Sequence, residues 1–142
     1  MRIIGCGNLD RGDDAAGVLV ARRLCELGVE AIVQTGEASS LIEAWSGADD
    51  VVVVDAVVTG SPVGTVRMWA GRPPSLPRKP VSSHGFGVAE AFDLAEALGR
   101  LPRRFRLYGI EGKEFAPGGP VSPEVLRAVQ EVAQKIAAEA GK

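Results

Sequence analysis

Hydrophobic positions along the chain alternate between short runs rich in β-branched residues and longer segments with helical spacing. The clearest run is 51–54, four consecutive valines that fit a central parallel strand covered on both faces. Further runs predict strands at 2–6, 31–34, 65–69 and 105–110. This alternation continues without an internal repeat or a low-complexity linker and predicts an α/β layer fold.

Apolar residues recur at helical spacing in the segments between these strands. The first predicted helix begins near Asp13 or Asp14, and the last begins after Ser122. The two helices between them are predicted at 41–45 and 86–98. The last is the best defined, because Ser122 suits the N-cap, Pro123 the first position and Glu124 the first turn. The predicted buried positions are Val18, Ala21, Leu24 and Cys25 in the first helix, Val88, Ala91, Phe92, Ala95 and Leu98 in the third, and Val125, Val129, Val132, Ala133 and Ile136 in the last.

The strand at 65–69 is expected at an edge of the sheet. Only a short segment with a turn at residues 60–62 separates it from Asp55, and this is too short for the crossover helix that a parallel connection needs. We therefore expect this strand to pair antiparallel, which makes the sheet mixed.

Composition places the chain among ordinary globular proteins. Its 142 residues, 46% hydrophobic and 24% charged, suit one domain spanning 1–142. The formal net charge of -2 gives no bulk attraction to nucleic acid or to an anionic membrane. Two widely spaced cysteines and the lack of an apolar signal segment at the start favour the reducing cytoplasm, where we expect a monomer.

The chain has a single histidine, His84. This count excludes sites that need two imidazoles from one chain, so any metal site must rely on carboxylates. The candidate residues are Asp13 and Asp14 after a glycine-rich loop, Asp55 after the valine strand, and His84 before the third helix. In an open α/β sheet, ligands bind beyond the carboxyl ends of the strands, where these residues are expected.

Each candidate also has a purely structural interpretation. Asp13 or Asp14 would cap a helix, but adjacent carboxylates repel, so the second could face a cation. Asp55 beside four valines costs free energy unless it is hydrogen-bonded, ion-paired or bound to a metal. A lone loop histidine such as His84 is commonly a surface residue. If the three converge, one imidazole and two carboxylates form a metal site with open coordination positions.

Other features weaken competing functions. A dinucleotide-binding loop at Gly5 and Gly7 would place Asp10 where the third glycine belongs, and its carboxylate would repel the pyrophosphate. Ser82 and Ser83 lack the G-x-S-x-G elbow of serine hydrolases. We expect a solvated face from Arg100, Arg103, Arg104 and Arg106, and loop solvation or a substrate groove from Glu111 and Glu114.

Short motifs occur in a set order along nearly the whole chain. They are Gly5-Cys6-Gly7-Asn8, Gly12-Asp13-Asp14-Ala15-Ala16-Gly17, Val54-Asp55-Ala56, Ser83-His84-Gly85-Phe86-Gly87 and Gly109-Ile110-Glu111. No single motif is specific, but the ordered combination resembles the hydrogenase maturation endopeptidases.

The resemblance implies an α/β/α sandwich with a mixed, mostly parallel five-stranded sheet. It implies an endopeptidase that removes a C-terminal extension from the precursor of a nickel-iron hydrogenase large subunit after nickel insertion. The family's metal-binding and catalytic positions correspond to Asp14, Asp55 and His84. The metal would be the nickel of the substrate, with zinc or cadmium as surrogates. A bound metal would orient the precursor, polarise the scissile carbonyl or activate water.

The chain departs from the resemblance near the expected site. Residues 34–37 read Gln-Thr-Gly-Glu where relatives commonly carry an acidic residue and paired glycines, and Asp10-Arg11 replace residues that are usually apolar. Either Asp10 or Glu37 could supply an extra ligand. An alternative function is a non-catalytic maturation chaperone that binds nickel or the precursor without cutting.

Overall fold

Five strands form one sheet in the structure, a computed structural model that describes residues 1–77, 79–80 and 87–141. The strands are β1 (Arg2–Cys6), β2 (Ile32–Gln34), β3 (Asp50–Val57), β4 (Val66–Ala70) and β5 (Arg104–Glu111). Their order across the sheet is β2-β1-β3-β5-β4. Only the edge strand β4 runs antiparallel to its neighbour, so the predicted mixed sheet is confirmed.

The helices of the described residues are α1 (Ala16–Glu26), α2 (Ala38–Trp45), α3 (Val88–Ala97) and α4 (Pro123–Ala140). A 3₁₀ turn at Gly12–Ala15 precedes α1, so regular helix begins slightly later than predicted. None of the helices in the described residues has the combination of length and hydrophobicity required to span a membrane.

The core has two parts, one on each face of the sheet. Val52 and Val54 of β3 pack in a cluster with residues of α1 and α4. Val51 and Val53 point the other way and pack with residues of α2 and α3. This alternation arises because successive strand residues face opposite sides. The predicted three-layer α/β/α sandwich is therefore confirmed.

Two glycines let α1 lie unusually close to the sheet. A Cβ at Gly5 would come within 2.1 Å of the Gly17 carbonyl oxygen. A Cβ at Gly17 would come within 2.3 Å of the carbonyl oxygens of Cys6 and Val54. Real side chains cannot make such approaches, so both positions require glycine. The close packing holds the start of α1 against the carboxyl ends of β1 and β3.

Most predicted buried positions are confirmed, and two are wrong. The predicted apolar face of α4 is buried along its whole length. Cys25 is exposed, because it lies next to Leu24 on the helix and is turned about 100° away from the buried stripe. Leu98 is 55% exposed, since α3 ends before it and the residue lies at the C-cap.

Candidate functional site

Asp14 and Asp55 lie beyond or near the carboxyl ends of neighbouring parallel strands. Asp55 belongs to β3, and Asp14 lies in the 3₁₀ turn that follows the loop after β1. The loop turns sharply at Gly7, whose φ of 141° is rarely adopted by residues with side chains. A Cβ at this position would also lie only 1.9 Å from the carbonyl oxygen of Asp14, so a side chain is excluded. The fold thus brings both aspartates to the carboxyl end of the parallel strands.

A lysine lies between these two aspartates. Lys79 Nζ donates a hydrogen bond of 2.8 Å to Asp55 Oδ1 and forms an ion pair with Asp14 Oδ1, also at 2.8 Å. The side chains are shielded from water, with 19% of Lys79 and 11% of each aspartate exposed. The cation that the sequence suggested for one of the paired acids is, in this structure, an ammonium group of the same chain.

The three charges influence one another strongly. Burial raises the pKa of Asp55, and Lys79 opposes that shift. Burial by itself would lower the pKa of Lys79, but the carboxylates of Asp55 and Asp14 outweigh it and raise the pKa. Lys79 therefore remains an ammonium ion at neutral pH.

Asp13 has a different role from its neighbour Asp14. Its carboxylate accepts hydrogen bonds from the backbone N–H groups of Lys113 at 2.8 Å, Glu114 at 2.9 Å and Ser122 at 2.6 Å, and from Ser122 Oγ at 2.8 Å. Burial alone would raise its pKa, but these hydrogen bonds lower it. Asp13 thus joins the loop before α1 to the connection between β5 and α4.

The same contacts change the interpretation of Ser122. This residue occupies the predicted N-cap of α4, but its hydroxyl donates to Asp13 instead of forming a side-chain cap.

Two further sequence interpretations are corrected by burial. Glu111 neither solvates a loop nor lines an open groove: it is buried, and its carboxylate accepts hydrogen bonds from Thr59 N at 2.8 Å, Thr59 Oγ1 at 2.5 Å and Gly60 N at 3.3 Å. Arg106 is buried and does not belong to a solvated face. Its guanidinium forms an ion pair with Glu139 and lies 3.4 Å from Asp50 Oδ1. Both side chains secure the fold.

Cys6 is buried at the end of β1, close enough to Asp14, Asp55 and Lys79 for their charges to affect its pKa. Burial raises the pKa of its thiol well above the ordinary value, and the charge of Asp55 adds to the effect. The thiol of Cys6 is therefore neutral in the metal-free protein at neutral pH.

The predicted third ligand, His84, lies outside the described residues. Within 1–77, 79–80 and 87–141, no three His, Cys, Asp or Glu side chains form a group that could hold a metal ion. Asp10 and Glu37, the suggested extra ligands, are both exposed. The described part of the site therefore consists of Asp14, Asp55 and the lysine between them.

The donor chemistry of this pair fits a divalent metal. Two anionic oxygens already converge on one cation, and carboxylate oxygens bind zinc and similar ions in proteins. An imidazole would complete the mixed nitrogen and oxygen ligand set that the sequence suggests. Lys79 was missed because it lies in an aperiodic, proline-rich connection; the requirement of Asp55 for a countercharge was the one signal that called for such a residue.

Comparison with known proteins identifies relatives in sequence. Residues 26–139 match the profile of the HycI family, described as hydrogenase maturation protease. The chain is 31% identical over 146 residues to the hydrogenase expression/formation protein HoxM of Azotobacter vinelandii, covering 96% of this chain and 70% of that protein. It is 30% identical over 131 residues to the protein HupD of Thiocapsa roseopersicina, covering 87% of this chain and 59% of that protein.

Solved structures agree with the sequence relatives. The NiFe hydrogenase maturation protease HybD from Thermococcus kodakarensis superimposes with a TM-score of 0.77 at 28% identity over 100% of both chains. The maturating endopeptidase HybD from E. coli has the same fold, with a TM-score of 0.78 at 23% identity over 98% of this chain and 91% of the other. The chain, whose paired aspartates lie at the carboxyl end of the sheet, belongs to the hydrogenase maturation protease family.

Proposed function

We propose that this protein is an endopeptidase that removes the C-terminal extension of a nickel-iron hydrogenase large-subunit precursor after nickel has been inserted. The observation that carries the proposal is the convergence of Asp14 and Asp55 on one cation at the carboxyl edge of the sheet. Family membership supports peptidase chemistry, and the paired carboxylates support recognition of a metal.

In the proposed mechanism, Asp14, Asp55 and His84 bind the nickel of the precursor. The two carboxylates supply anionic oxygens from rigid parts of the fold, one beside the glycine contacts of α1 and one within β3. Nickel that is already part of the substrate then fixes the precursor relative to the enzyme. Such a metal, held by these residues, would polarise the scissile carbonyl or activate the attacking water.

The proposed setting is the cytoplasm, with the protein acting as a monomer on its precursor. Cys6 and Cys25 are free thiols in the structure, which suits a reducing compartment.

Cleavage of a matched precursor tests the proposal. Nickel-loaded large-subunit precursor is incubated with wild-type protein, with Asp55→Asn and with Glu131→Gln, an exposed carboxylate on α4 that serves as control. Mass spectrometry should show loss of the C-terminal extension with wild type and Glu131→Gln, and at least about 100-fold slower cleavage with Asp55→Asn. An uncut precursor in the wild-type reaction would refute the peptidase activity.

His84→Ala separates this function from that of a non-catalytic maturation chaperone. A peptidase that uses His84 loses processing in this variant, because the imidazole is the only one in the chain. A chaperone would show reduced association with the precursor and no processing by the wild type. Binding measured beside cleavage on the same precursor distinguishes the two.

A further inference from the structure

The Lys79 ammonium occupies the position between the carboxylates to which the metal is assigned. Its Nζ is 2.8 Å from Oδ1 of Asp14 and 2.8 Å from Oδ1 of Asp55. A zinc-sized metal bound by the same oxygens would lie about 2.0–2.2 Å from each of them. The ammonium and a metal held between the same two Oδ1 atoms would occupy overlapping space, so the metal can take this position only if Lys79 leaves it.

Charge gives a second reason for competition. Two aspartates and one lysine carry a net charge of -1, whereas two aspartates and a divalent ion are neutral. A divalent ion that joined the cluster without displacing Lys79 would place two cations side by side. With 19% or less of each of the three side chains exposed, water screens that repulsion poorly.

Less regular structure holds the backbone of Lys79 than that of its two partners. Asp55 is part of β3, and the turn carrying Asp14 is fixed by the close approach of Gly7 to it. Lys79 belongs to the connection between β4 and α3, whose described residues form neither helix nor strand. The lysine ammonium is carried on a flexible four-carbon stem, so rotation of the stem alone moves it away from the carboxylates.

We propose that Lys79 is a specificity-determining residue that competes with metal ions for Asp14 and Asp55 and withdraws when the nickel of the precursor binds. This inference rests on the metal site assigned in the proposed function. Free divalent ions bind weakly to the isolated protein, because each must displace a countercharge tethered to the chain. A precursor presents its nickel together with a protein surface, whose contacts contribute to displacing Lys79.

Metal affinity without precursor tests the inference directly. Ni²⁺, and separately Cd²⁺, are titrated by calorimetry into wild type, Lys79→Met and Lys79→Arg. Lys79→Met removes the charge and should bind at least about tenfold more tightly than wild type. Lys79→Arg keeps a cation and should show no gain. The double variant Asp55→Asn/Lys79→Met should lose the gain, which assigns the ion to this pair.

Affinities of wild type and Lys79→Met that agree within error would overturn the inference, as would an equal gain in Lys79→Arg. If Lys79→Met does not fold in metal-free buffer, Lys79→Gln keeps an N–H donor without the charge. Added Ni²⁺ must then raise the melting temperature of Lys79→Gln more than that of wild type, and an equal rise overturns the inference. Precursor cleavage by the wild type is a separate measurement, so either proposal can fail alone.

Discussion

Two cations, each in contact with two carboxylates, lie toward opposite ends of β3. Near its end Lys79 contacts Asp14 and Asp55, and at its start Arg106 contacts Asp50 and Glu139. The charge pattern is the same, but access to water differs. Only 11% of each aspartate beside Lys79 is exposed, against 28% and 37% for the two acids beside Arg106. A carboxylate that reaches water keeps its charge solvated when its partner is removed, so the loss costs little free energy. An enclosed carboxylate has no such replacement, so loss of its partner costs more.

The cations also differ in how the chain carries them. Arg106 is part of β5 and pairs in register with Val52, and its guanidinium presents fixed donors to both acids. Lys79 lies in an irregular connection and ends in a single, movable point charge. Arg106 therefore suits a permanent link between the sheet and α4, and Lys79 suits a cation that another cation replaces.

Removal of the Lys79 charge should have the largest effect on stability. Lys79→Met leaves two enclosed carboxylates without a countercharge, and we expect the free energy of unfolding to fall by about 3 kcal/mol in the presence of a chelator. Urea denaturation followed by circular dichroism measures the change. The double variant Asp55→Asn/Lys79→Met should recover part of the loss, because one of the two stranded charges is gone. A single variant as stable as wild type would show that the carboxylates reach water after all.

Removal of the Arg106 charge should cost less. Arg106→Met keeps the length and the apolar stem, and the acids released from it turn toward solvent, so we expect a loss of about 1 kcal/mol by the same denaturation assay. Metal affinity should match that of wild type, since the change lies at the other end of β3. A loss equal to that of Lys79→Met would contradict the distinction between the two ends.

The fold followed from the sequence because its signals are local. The valines at 51–54 alternate between the two core clusters as their unbroken run predicts. The apolar stripe and Pro123 of α4 lie where helical spacing placed them. Topology then brings Asp14 and Asp55 together, since parallel neighbouring strands end at one edge of the sheet.

The separate roles of the residues in and near the site could not be predicted, because they depend on partners that are distant in the sequence. Asp13 and Asp14 are adjacent and chemically identical, and only the donors more than 100 positions away on the chain, at Glu114 and Ser122, show that Asp13 is structural. Arg106 was assigned to a solvated face because its partners lie 33 and 56 positions away. No local pattern reports such contacts, because neither periodicity nor spacing encodes them.

The Arg106 cluster should also give the smallest measurable effect, a change in the acid dependence of stability. The hydrogen bond from Arg106 and its charge lower the pKa of Glu139 in the folded protein. A carboxylate whose folded pKa is depressed stabilises the protein above its unfolded pKa, and the contribution is lost as pH falls through the folded pKa. Glu139→Gln should therefore be less stable than wild type at pH 7, and the difference should vanish in acid below the ordinary glutamate range.

Because Glu139 is partly exposed, added salt should also shrink the difference in stability between Glu139→Gln and wild type. Denaturation series at several pH values measure the difference, with the exposed carboxylate variant Glu131→Gln as the matched control. A difference that grows in acid would mean that Glu139 is held protonated, and the contrast with the enclosed pair at Lys79 would lose its basis.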